Sequence, residues 1–152
     1  MLAFLQQSAF AIWVAESDWV YPAVLTAHTV GLALLVGGSV VFDLRLLGVG
    51  ADLPPPALKG LVPIMVAGFT LSAMTGLTLF IAAAIDRGAQ PVFYIKLLCI
   101  ATAIAVDRHA RRQLSGQASS SWTIGFRPKA LAALSLSLWA GAIAAGRLVA
   151  YL

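Results

Sequence analysis

The sequence predicts an all-α fold: an integral membrane four-helix bundle with an N-terminal interfacial helix, all in one domain spanning residues 1–152. Three observations carry that prediction. Hydrophobic residues make up 61% of the chain, charged residues only 11%, and mean hydropathy is +0.92, a composition foreign to soluble domains of this size. Four apolar stretches, 20–47, 61–85, 91–114 and 129–152, each reach the ~20 residues a helix needs to cross a bilayer. The segments between them are rich in glycine, proline and serine, which break helices and form turns.

Each element has a local reason. Residues 2–14 pair Phe4, Phe10 and Trp13 with Gln6, Gln7 and Ser8, the mixture expected of a helix lying along a membrane surface. They lack the positive n-region of a signal peptide and read as a retained segment. Glu16, Asp18, Trp19, Tyr21 and Pro22 mark the bend into the first membrane helix, and Gly48 its stop. The Pro54, Pro55, Pro56 triplet favours extended backbone before the second helix. The turn from Asp86 to Gln90 ends at Pro91, placed to open the third helix, so the second and third form an antiparallel hairpin. The polar connection 115–128, with Trp122 and Phe126 at the interface, leads into the fourth helix.

The formal charge of +4 does not mark a nucleic-acid binder, because the basic residues sit at helix ends with no groove-reading or stacking motif. It marks topology instead. Arg45, Lys59, Arg108, Arg111, Arg112, Arg127 and Lys129 flank the loops after the first and third helices, whereas Arg87, Lys96 and Arg147 lie on the other side. The positive-inside rule makes the richer side cytoplasmic and puts both termini outside. The single cysteine, Cys99, excludes an internal disulfide.

His28 is the residue around which function is expected. An ionisable side chain inside an apolar span usually faces a partner, a cavity or a cofactor. It lies about eight residues beyond Val20, so its Cα is roughly 12 Å below the outer interface. Lys96 and Arg147 lie only some 7 Å below the same surface. A helical side chain tilts toward its own N-terminus, so Lys96 can reach outward while Arg147 tilts deeper and needs an anion. Gly68, Ser72 and Gly76 on the second helix, and Ser137, Gly141 and Ala145 on the fourth, have the spacing of close helix packing. Gly31 and Gly76, beside and opposite His28, also admit a flat slot for a macrocycle. His109 is roughly 20 Å further toward the cytoplasm than Lys96 and reads as a solvated helix-end histidine. One His and one Cys are too few for tetrahedral zinc, while a Cu(I) site from His28, Cys99 and Met74 would need three helices to converge. Asp43 and Arg45, two residues apart, point to different faces, and a structural role fits both.

Trp19-Val20-Tyr21-Pro22, His28, the run from Gly31 to Gly37, and Asp43-Leu44-Arg45-Leu46-Leu47-Gly48 resemble a family of short four-helix bacterial membrane proteins of unassigned function. More distantly, His28, Arg45, Lys96-Leu97 and His109 resemble the heme-binding membrane protoporphyrinogen oxidase family and the related copper-resistance D proteins. That resemblance implies a four-helix core carrying heme b, with His28 and Lys96 matching the family's essential histidine and lysine. The Trp-Xaa-Tyr-Pro entrance and the proline-rich first loop depart from it, so porphyrinogen oxidation is not carried over. The expectation is a membrane oxidoreductase or its electron-transfer subunit. Heme would sit in the outer half of the bundle, with His28 as metal ligand, Lys96 and Arg147 on the propionates, and Gly31 and Gly76 lining the slot. A quinone or periplasmic redox partner would exchange electrons with it, within a homo-oligomer or a larger complex. A non-redox accessory subunit and a copper-handling protein are the competing readings.

Overall fold

In a computed structural model the described residues are 2–50, 58–115, 125–149 and 151, and all their regular structure is helical. The elements are α1 (Leu2–Gln6), α2 (Ala9–Glu16), α3 (Val20–Leu47), α4 (Leu61–Ala82), α5 (Ala84–Ala89), α6 (Pro91–Ser115) and α7 (Phe126–Leu148). The proline triplet, Trp122 and the C-terminal Leu152 lie outside the described residues.

Three of these helices, α3, α4 and α7, are long and apolar enough to cross a membrane. The fourth long helix, α6, matches them in length, but Lys96, Asp107, Arg108, Arg111 and Arg112 interrupt its apolar character. The closest pairings are α3 with α4, α6 with α7, and α3 with α7. The expected α4–α6 hairpin therefore holds in connectivity, while its two helices meet mainly through side chains. Phe80 stacks on Phe93 at 5.2 Å, and the Arg111 Nη1 donates to Met65 Sδ at 3.2 Å. Leu35, Phe42, Met65, Ala103 and Trp139 form the main buried cluster, contributed by all four long helices.

Helix ends follow local chemistry. Gly48 stops α3 as expected: it takes a left-handed φ of 99°, and the Gly48 and Val49 N–H groups donate to the Arg45 and Leu44 carbonyls. The second helix is shorter than 61–85. Its ladder breaks at Ala83, and the stretch read as a turn is instead the short helix α5, ended by extended Gln90 ahead of Pro91.

The N-terminal segment also differs from one helix over 2–14. Ser8 divides it, donating from Oγ to the Leu5 carbonyl and accepting from the Ala11 N–H as the cap of α2. Ala11 and Val14 are fully buried beneath Phe10 and Trp13, which are exposed. Gln6 Oε1 accepts from the Ile85 N–H at 2.7 Å, so α1 docks on α5. The segment closes the end of the molecule nearest His28.

Candidate cofactor site and a buried carboxylate network

Glycines fix where α3 meets α4. A Cβ on Gly31 would lie 2.7 Å from the Ser72 nitrogen and 2.8 Å from the Gly68 carbonyl oxygen. A Cβ on Gly68 would come equally close to the Gly31 carbonyl oxygen, at 2.7 Å. The small residues expected on α4 thus serve a backbone-to-backbone crossing. The space beside Gly31 is filled by α4, and Gly76 makes room for the His28 ring itself, whose Cε1 would lie 3.0 Å from an added Cβ. On α7 the small-residue reading shifts register: Ser137 is exposed, and the buried face is Ala132, Ser135, Trp139, Ala142 and Ala145.

That crossing orients His28. Its Nδ1 lies 2.9 Å from the Ser72 carbonyl oxygen and 3.2 Å from Thr75 Oγ1. A carbonyl only accepts, so Nδ1 carries the proton and Nε2 keeps its lone pair. This is the arrangement by which proteins fix the tautomer of a metal-binding histidine.

Cations gather around it. Lys96 and Arg87 both lie within electrostatic reach of His28, and Arg87 within reach of Lys96. The Lys96 stem lies along Gly146 of α7. Arg87 reaches the Tyr21 hydroxyl at 3.5 Å, while its buried Nε has no hydrogen-bond partner among the described residues. Arg147 stands apart: it is exposed, turned one position around α7 from the Gly146 that faces Lys96. Depth along a helix places it near the other cations; rotation about the helix takes it away. Arg87, read from the sequence only as a turn residue, fills the position instead.

The possible copper ligands are not brought together. Cys99 Sγ faces Gly141 on α7, Met74 is 66% exposed, and His28 faces α4. Among the described residues no three His, Cys, Asp or Glu side chains converge. His109 is exposed, as expected.

A second polar group lies at the far end of α3, and of its members only Asp43 was singled out from the sequence. Asp107 of α6 is only 4% exposed and accepts hydrogen bonds from Ser39 and Ser135, the latter at 2.8 Å. Trp139 Nε1 donates to Ser39 Oγ at 2.9 Å. Asp43, one turn beyond Ser39, is 1% exposed and lies beside Ser135 and Asp107. Arg111, one turn beyond Asp107, is within electrostatic reach of Asp43, with its guanidinium 5.5 Å from the Phe42 ring centroid. The sequence signal was the four-residue spacing of Ser39 with Asp43, Asp107 with Arg111, and Ser135 with Trp139.

No protein family, curated protein or solved structure matches this chain.

Proposed function

We propose that this chain is a four-helix inner-membrane protein that binds heme b in its outer half and passes electrons to or from a quinone or a periplasmic partner. The observation that carries this reading is the tethered His28 imidazole, held through Nδ1 by the Ser72 carbonyl with Nε2 left to ligate. When bound, heme b supplies a one-electron couple. Lys96 and Arg87 would hold its propionates, in place of the pair Lys96 and Arg147. Each charge-assisted bond of this kind contributes ~1.5–3 kcal/mol. In this reading α6 crosses the membrane with α3, α4 and α7, while α1 and α2 lie at the outer surface.

Purified protein should show a Soret band. His28→Ala should abolish or strongly shift it while the protein still inserts; an unchanged spectrum sinks axial ligation by His28. Lys96→Met and Arg87→Met should each speed heme loss to apomyoglobin by about 10-fold or more, converting the bond energies above, whereas exposed Arg147→Met should not. The competing non-redox reading rests on the same Ser72 bond, which would then only lock α3 to α4. It expects no Soret band in the parent protein and lower thermal stability in His28→Ala.

The proposed orientation puts both termini in the periplasm and residues 115–128 in the cytoplasm. Reporter fusions at Leu152 and Gly116 should give periplasmic and cytoplasmic signals respectively. The reverse pattern would invert the assignment of the two faces.

A further inference from the structure

We propose that Asp43, Ser135 and Asp107 form a binding site for one small monovalent cation, a proton or a sodium ion, in the half of the molecule remote from His28. Fifteen residues of α3 separate Asp43 from His28, roughly 22 Å of helix, so this site is independent of the cofactor reading.

Hydrogen-bond arithmetic is the first argument. A serine hydroxyl has one proton to donate and an indole N–H one. Ser39 and Ser135 both give theirs to Asp107, and Trp139 gives its own to Ser39. Ser135 also lies within hydrogen-bond reach of Asp43 but has one proton for two carboxylates, and Asp43 Oδ2 is buried with no hydrogen-bond partner among the described residues. A buried carboxylate oxygen left in that state is expensive, and the Ser135 oxygen beside it retains lone pairs that can accept a proton or coordinate an ion.

Charge is the second argument. Two carboxylates and the Arg111 guanidinium leave the group one positive charge short of neutrality. Among the described residues the other elements do not make up the difference. On α7 the face turned to this level is Ala132, Ser135 and Trp139, and Arg127 and Lys129 at its start are exposed. On α6, Arg108 and His109 are exposed. The described helix α4 has no charged residue, and Arg45 on α3 is two positions from Asp43, on another face. One added proton or one sodium ion balances the group, whereas a divalent ion would overshoot.

The test is infrared spectroscopy of the full chain in lipid nanodiscs at neutral pH, comparing sodium chloride with choline chloride at equal ionic strength. In choline, the parent should show the carbonyl band of a protonated carboxyl, sensitive to H2O/D2O exchange. Asp43→Asn should lose that band entirely while keeping its helical circular dichroism, since the amide can donate to Ser135. If the ion is a proton, sodium leaves the parent band unchanged; if it is sodium, sodium replaces the band with carboxylate bands. The proposal is overturned if the parent shows no protonated-carboxyl band in choline, or if the band survives in Asp43→Asn.

Discussion

Gly31→Val is expected to pull α3 away from α4 and cost on the order of 3 kcal/mol, the upper end for overpacking, because the obstacle is backbone on both sides. A flexible neighbour can swing aside; the Ser72 amide nitrogen and the Gly68 carbonyl cannot without moving a helix. The effect reaches beyond packing, since Ser72 also supplies the carbonyl that tethers His28. Gly37 on the same helix is the natural control, because a Cβ there meets nothing within 4 Å. Thermal unfolding in detergent should show a large fall in Tm for Gly31→Val and little change for Gly37→Val. Equal losses in the two variants would mean that the crossing is not what holds these helices together.

Asp107→Ala should cost a further ~2–5 kcal/mol by a different route. It strands the Ser39 hydroxyl in a dry site, at about 1–3 kcal/mol for an orphaned group, turns Ser135 over to Asp43, and leaves a cavity among α3, α6 and α7. The penalty belongs to the stranded partners more than to the lost carboxylate. Asp107→Asn, whose amide oxygen still accepts from one serine while its NH2 donates to the other, should therefore keep much of the stability. An Asp107→Asn variant no more stable than Asp107→Ala would show that the network contributes more than the satisfaction of its own members.

Much of this fold was legible because length and hydropathy act along the chain, one residue at a time. The three apolar spans, the glycine stop at Gly48 and the proline start of α6 all came from that information. Facts that depend on rotation about a helix axis did not. Arg147 and Lys96 share a depth, yet Gly146 is the α7 residue that faces Lys96 and its neighbour Arg147 faces outward. Asp107 stands in a run with Arg108, His109 and Arg112, and reads from the sequence as one more charge at a helix end. Only its register with buried Ala103 and Ala110 turns it into the core while its neighbours stay outside. Breaks set by single hydrogen bonds, such as the Ser8 cap, were hidden for a related reason: serine in an apolar segment is equally at home on an interfacial helix.

Trp139 gives the molecule a built-in lamp. Its indole is 2% exposed and bonded to Ser39, while Trp13 and Trp19 are 58% and 84% exposed. Of the three described tryptophans its emission should be the bluest and the least accessible to aqueous quenchers. Ser39 stands eleven residues from His28 along α3, roughly 16 Å of helix. A chromophore held at His28 that absorbs in the Soret region would take up that light by energy transfer. The same indole would register a change of charge next door through a shift in colour, so one fluorescence spectrum distinguishes events at the two ends of a single helix.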